Sequence, residues 1–154
     1  EIGEGTFGKV IKVGMKGKEY ALKISRGLEE DKLFDYEFEV QKALEGIHGI
    51  LEAAKLYGNA FLMQYIPGKD LSLCSDIPEE FFTDLSNIFR AIHKRGYSIP
   101  TDMNSRNIIV DENNKAWVVD FMFADKLTVD NYEDLMSYAN ERLETMRKTH
   151  GRKC

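Results

Sequence analysis

Glycine stands at positions 3, 5 and 8 in the run Gly3-Glu4-Gly5-Thr6-Phe7-Gly8-Lys9-Val10, and the residues after it alternate apolar and polar rather than repeating at helical spacing. That order narrows the possible folds more than anything else in the chain. Glycines so spaced let a backbone approach bound phosphate without Cβ collisions, so that main-chain amides can cradle negative charge. A dinucleotide-binding fold would place such a run between a parallel strand and a helix. Here Val10, Ile11 and Val13, then Tyr20, Leu22 and Ile24 around Lys16-Gly17-Lys18, read as strands, so the glycines belong to a hairpin.

Residues 1–25 therefore predict three strands in a meander. Over 30–45 the period becomes helical, with Leu33, Phe34, Val40 and Leu44 on or near one face and Gly46 as the stop. Two more strands, 51–57 and 60–66, join at Gly58-Asn59 and complete a small antiparallel lobe of five strands and one helix. Ile66-Pro67-Gly68-Lys69-Asp70 breaks the pattern and reads as a linker. Beyond it, Asp76 is a candidate cap for a helix carrying Phe81, Phe82, Leu85, Ile88, Phe89 and Ile92 and stopping near Gly96. Next comes a strand pair, 108–110 and 116–119, turning at Asn113-Asn114. A last helix from about Asn131 carries Leu135, Met136, Ala139, Leu143 and Met146 at three-and-four spacing. The expected class is α+β, one domain with lobes at 1–66 and 67–154.

The chain has 154 residues, 43% hydrophobic and 31% charged, a composition that folds rather than stays disordered. No apolar run could span a bilayer and nothing reads as a signal peptide. A net charge of −5 argues against a nucleic-acid-binding domain. Its local exception is the basic stretch 147–153, read first as a solvated, frayed terminus and otherwise as a contact for RNA or an acidic protein. Cys74 and Cys154 match no metal or redox spacing, which points to a reducing, cytoplasmic setting.

Four positions carry chemistry beyond the glycines. Lys23, in Ala21-Leu22-Lys23-Ile24, sits mid-strand where alternation can aim an ammonium at phosphates. Glu37 is the preferred partner to orient it, because Val40 and Leu44 follow three and seven positions later; Glu39 is the alternative. Asp102, in Asp102-Met103-Asn104-Ser105-Arg106-Asn107, can accept a hydroxyl's proton, and the Asn107 carboxamide can ligate a divalent cation. Asp120 closes the second strand of the hairpin, so the turn should bring it near Asn107 to share Mg²⁺ or Mn²⁺.

These segments, in this order, resemble the protein-kinase-like superfamily over nearly the whole chain, and among its branches the small atypical kinases of the RIO, Bud32-like and lipopolysaccharide or sugar kinase types. The resemblance implies an ATP-dependent phosphotransferase, a serine/threonine kinase in the first reading and a small-molecule kinase or nucleotide-binding pseudokinase in the alternative. It implies that Gly3, Gly5, Gly8 and Val10 cover ATP, that Lys23 with Glu37 holds its phosphates, and that Asp102 is the catalytic base. Asn107 and Asp120 become metal ligands, and Met63-Gln64-Tyr65-Ile66 the adenine-binding segment, with Met63 as gatekeeper and Gln64 and Ile66 offering main-chain groups. Pro100-Thr101 replaces the usual His-Arg before the catalytic Asp, Met122 replaces the Gly after Asp-Phe, and no Ala-Pro-Glu comes after them. The expectation is a kinase core without a phosphorylation-dependent switch or a peptide-docking platform.

Overall fold

The computed structural model of the chain describes residues 3–5, 8–25 and 28–153, together with the side chains of all of these except 3–5, 8, 28–33 and 55. Thr6 and Phe7 of the glycine run, and Cys154, lie outside the described residues. Alternation produces the first sheet: β1 (Gly3–Gly5), β2 (Gly8–Met15), β3 (Lys18–Ser25), β4 (Ala53–Tyr57) and β5 (Ala60–Gln64), in the order β1-β2-β3-β5-β4 with every neighbouring pair antiparallel. Helix α1 (Leu28–Ala43) covers one face. Its buried stripe is Phe34, Glu37, Val40, Gln41 and Leu44, a mixture of apolar and polar side chains at helical spacing. Phe34 and Phe38 meet the edge of Phe61 on β5, with ring centroids 5.6 and 6.2 Å apart. Gln41 donates through Nε2 to the Leu51 carbonyl at 2.8 Å, which satisfies a buried amide that the sequence pattern does not single out.

The second half is built on a three-stranded sheet, β6 (Gly68–Asp70), β7 (Ile108–Asp111) and β8 (Ala116–Val118), in that order. Helices α2 (Glu79–Lys94) and α3 (Tyr132–His150) bury Phe81, Phe82, Leu85, Ile88, Phe89 and Ile92 against Ala139, Leu143 and Met146 in one apolar core. The expected linker at 66–70 is thus partly a strand. Gly68 makes that pairing possible, because a Cβ there would lie 2.4 Å from the Val110 carbonyl oxygen. Asp76 does not cap α2. Pro78 is the N-cap residue, while Asp76 has a left-handed φ of 56° and accepts from Arg152 Nε at 3.2 Å.

The terminal basic stretch is tied down rather than frayed. The Ile77 amide donates to the His150 carbonyl and the Arg152 amide to the Ile77 carbonyl, both at 2.9 Å, and Arg147 pairs with Glu79. Several contacts join the halves, two of them at the ends of helices and strands away from the glycine hairpin. The Val118 amide donates to the Gly49 carbonyl at 2.8 Å, and Arg95 at the end of α2 donates to the carbonyls of Ala43 and Glu45 at the end of α1. Gly49 has φ 96°, and a Cβ on it would come within 2.3 Å of Ile88. No described helix is long and apolar enough to cross a membrane.

Candidate active site

Strand register places the glycine hairpin beside the lysine. Gly5 pairs with Gly8 and Gly3 with Val10, and Val10 in turn lies directly opposite Lys23 on β3, which faces Phe61 on β5. Lys23 is only 7% exposed. Its Nζ donates to both Glu37 oxygens, at 2.5 and 2.9 Å, and to Asp120 Oδ1 at 2.9 Å, with the rings of Phe34 and Phe61 within 5.3 and 5.9 Å. One ammonium therefore links β3, α1 and the end of the β7–β8 hairpin.

Burial by itself would lower the lysine's pKa, but the Glu37 carboxylate, then Asp120, hold it well above the ordinary range. The ammonium is a fixed cation at neutral pH. Glu37 is fully enclosed, and burial pushes its carboxyl up to about 7 against the opposing pull of Lys23. Glu39, the alternative partner, is exposed.

Across the cleft, short turns replace regular elements. Residues 105–107 form a single 3₁₀ turn capped by Asn104, whose Oδ1 accepts the Arg106 amide at 2.8 Å while its own amide donates to Asn107 Oδ1 at 3.0 Å. Asn107 is thereby buried and fixed, and its carbonyl accepts the Val119 amide at 2.8 Å. Its neighbour across the hairpin is thus the residue before Asp120. Asp120 takes a left-handed conformation, φ 67° and ψ 72°, and its side chain is 44% exposed. Burial raises the Asp102 carboxyl, its own main-chain hydrogen bond lowers it, and the charge of Asp120 raises it further. Asp102 and Asp120 each bear on Glu37 as well, so Lys23, Glu37, Asp102 and Asp120 share one electrostatic neighbourhood.

The apolar side of the cleft collects Ala21 and Met63 with the partly buried Val10, Ile66 and Val119. Gln64 is pinned beside it, its amide donating to the Glu52 carbonyl at 2.8 Å and its Oε1 accepting the Glu52 amide at 3.1 Å. Ile66 follows β5 in irregular chain before Pro67.

Sequence reasoning reads Pro100-Thr101 only as a departure, and misses what Thr101 does. Its amide and its Oγ1 both donate to the Phe123 carbonyl at 3.0 Å. Around this pair the Ser98 amide donates to the Asp125 carbonyl, and the Asp125 amide returns a bond to Ser98 Oγ. The chain before Asp102 is thus laced antiparallel to the chain after Asp120. Tyr36 on α1 donates to the Ala124 carbonyl at 2.5 Å, and Tyr138 on α3 donates to the Thr101 carbonyl at 2.7 Å. Met122 is buried within the same apolar cluster as Phe34, Leu51 and Phe61. No short motif signals this lacing, because its acceptors are main-chain carbonyls.

The fold has a solved counterpart. The Rio2 kinase-ADP/Mg²⁺-phosphoaspartate complex from Chaetomium thermophilum matches 96% of this chain with a TM-score of 0.75, at 20% sequence identity. The fold is protein-kinase-like. In fold the chain resembles that Rio2 kinase. Ankyrin repeat-containing protein kinase A of Dictyostelium discoideum is 28% identical over 151 residues, 88% of this chain. This kinase-like chain spans 10% of that relative's length and 53% of the solved chain's. No protein-family model matches.

Proposed function

We propose that the chain is an ATP-dependent phosphotransferase that moves the γ-phosphoryl group of Mg-ATP to a hydroxyl, a protein serine or threonine in the first instance. The observation that carries this reading is the buried Lys23, held by Glu37 and Asp120 at the root of a glycine hairpin. A purely structural ion pair needs two partners, whereas a lysine shared by two carboxylates, one of them 44% exposed, faces the cleft with charge to exchange.

The residues present fit a nucleotide with its metal. Val10, Ala21, Met63 and Ile66 offer an apolar slot of the kind an adenine ring fills, with Gln64 and Ile66 main-chain groups at its edge. Gly3, Gly5 and Gly8 leave backbone free to approach phosphates, and Lys23 is the cation to hold them. Asn107 Oδ1 keeps a lone pair beyond the one taken by Asn104, and Asp120 keeps a carboxylate oxygen beyond the one on Lys23. One amide oxygen and one carboxylate oxygen are donors of the kind Mg²⁺ takes, an ion that completes its shell with phosphate and water. Bound there, Mg²⁺ supplies charge neutralisation for the phosphates.

Asp102 then accepts the acceptor hydroxyl's proton as its oxygen bonds to the γ-phosphorus and the bond to the bridging oxygen of ADP breaks. Its raised pKa suits a base that must both take and release that proton. Lobes at 1–66 and 67–154 would close on the nucleotide from either side.

Labelled ATP with Mg²⁺ tests the reading. Turnover or autophosphorylation should exceed that of Asp102→Asn by at least about 10²-fold, the usual worth of a positioned base. Nucleotide-dependent thermal stabilisation that both proteins share, with no turnover by either, would leave a nucleotide-binding module instead.

A further inference from the structure

Next in sequence to Asp102, residues 103–105 and α3 from Arg142 to His150 line a pocket of about 160 Å³, to which the phosphate-donor site makes no claim. That is smaller than the ~300–1,000 Å³ of sites for drug-sized ligands, so it suits a headgroup or one side chain. Met103 and Met146 form its apolar floor. Its polar rim is unevenly committed.

Thr145 and Thr149 each donate their hydroxyl proton to a carbonyl one turn back, of Glu141 and Thr145, at 2.9 Å. They therefore present lone pairs only to the pocket. His150 is used on both sides: Nδ1 lies 2.9 Å from the Cys74 carbonyl, which can only accept, and Nε2 lies 2.8 Å from Ser105 Oγ. Asn104 commits one Nδ2 proton to the Asp102 carbonyl and keeps the other. Arg142 is half-buried at the rim and, among the described residues, has neither an ion pair nor a hydrogen bond. A half-buried guanidinium with free donors, beside a free amide proton, is a receptor for an oxyanion.

Arg142 is also linked to the turn that carries Asp102. It lies one turn along α3 from Tyr138, whose hydroxyl donates to the Thr101 carbonyl next to Asp102. Both the Arg142 and the Asp102 charges bear on that hydroxyl, Arg142 lowering and Asp102 raising a pKa that burial has already raised.

We infer that this pocket is the acceptor subsite: it takes a hydroxyl-bearing acceptor that also carries a phosphate or carboxylate, with the anion on Arg142 and Asn104 and neighbouring hydroxyls donating to Thr145 and Thr149. The inference rests on the phosphotransferase reading for its catalytic meaning, but the anion site stands on the pocket alone. The anion can belong to a small phosphorylated alcohol or to an acidic residue flanking a serine in a peptide.

Two measurements on the full chain separate the possibilities. First, inorganic phosphate is titrated against the labelled protein without nucleotide, following backbone amide resonances of 103–105 and 142–150. Saturable shifts confined to these residues and lost in Arg142→Gln are expected; no shifts, or shifts that survive Arg142→Gln, overturn the anion site whether or not the protein turns over ATP. Second, with Mg-ATP, glycerol phosphate and an Asp-flanked serine peptide are compared with glycerol and a Lys-flanked serine peptide. The expectation is that Arg142→Gln raises KM for whichever anionic acceptor is used by about tenfold, the loss of one charge-assisted contact. Arg142→Lys should restore part of it, and KM for ATP should not move. Equal losses on neutral and anionic acceptors, or no preference for anionic ones in the unaltered protein, overturn the acceptor assignment. Absence of turnover with every acceptor, while phosphate still binds at Arg142, would count against the phosphotransferase reading and, with it, the acceptor role of the pocket, leaving an anion site alone.

Discussion

Lys23 and Asp102 face one cleft from opposite sides, yet the first is held by a strand and a helix while the second is held by turns. Lys23 and Glu37 are 7% and 1% exposed, wedged between α1 and β3 over the rings of Phe34 and Phe61. Asp102 and Asp120 stay on the wet side, positioned by the Asn104 cap, a left-handed residue and the lacing of 98–101 to 123–125. Enclosed charge is costly unless matched, so the first side gives up stability for a fixed cation. The second side keeps its carboxylates solvated and uses main-chain hydrogen bonds for placement. Damage to the first side should therefore show as lost folding together with lost nucleotide binding, and damage to the second mainly as altered metal use.

The largest effect is expected at Lys23. Lys23→Ala strands Glu37 in the interior and should cost about 3–5 kcal/mol in urea denaturation, the usual loss when one member of a buried pair is removed. The double variant Lys23→Met with Glu37→Leu should regain most of that stability and still show no nucleotide-dependent rise in Tm. If the double variant is stabilised by ATP like the unaltered chain, the lysine is structural and the contrast between the two sides fails.

The uneven legibility of the two sides in the sequence has the same cause. Regular elements carry period, so β-alternation singles out Lys23 and helical spacing prefers Glu37 to Glu39; the structure places Glu37, not the exposed Glu39, on the ammonium. The hairpin 108–119 likewise implies that Asn107 and Asp120 end near each other, and the Val119 amide sits on the Asn107 carbonyl. Contacts between a side chain and a distant carbonyl escape such reading, as with Tyr36 to Ala124 across 88 positions or Tyr138 to Thr101 across 37. Such bonds impose no spacing on the sequence. Asp76 fails as a cap for a related reason, since capping depends on backbone angles that residue type only biases, and its φ of 56° points the chain elsewhere. Gly68 looks like a breaker because a glycine demanded by close approach to Val110 resembles one demanded by a turn.

A smaller effect is expected at Thr101. Thr101→Val keeps shape and the main-chain bond while removing the hydroxyl's bond to Phe123, and should cost about 1 kcal/mol. Because that bond fixes the chain just beyond Asp120, the Mg²⁺ concentration for half-maximal activity should rise by about fivefold, the same energy expressed as affinity, with KM for ATP at saturating Mg²⁺ little changed. Thr101→Ser should behave as the unaltered chain. An equal Mg²⁺ response in all three proteins would mean that the turns need no lacing to hold Asp120.

The smallest effect turns on a buried titratable group of the opposite kind. His93, in the last turn of α2, is half-buried with Nε2 enclosed and unpartnered among the described residues, whereas Lys23 has two carboxylates. Burial lowers its pKa below the ordinary 6.5. The unfolded chain then binds the proton more readily than the folded one. This group's contribution is therefore complete above about pH 6.5 and is lost as pH falls through the folded pKa. Urea midpoints measured from pH 8 to pH 5 should decline on acidification less steeply in His93→Leu than in the unaltered chain, with no difference in slope above pH 7. Parallel curves at all pH values would show that His93 is solvated in the fold and binds its proton there as readily as in the unfolded chain.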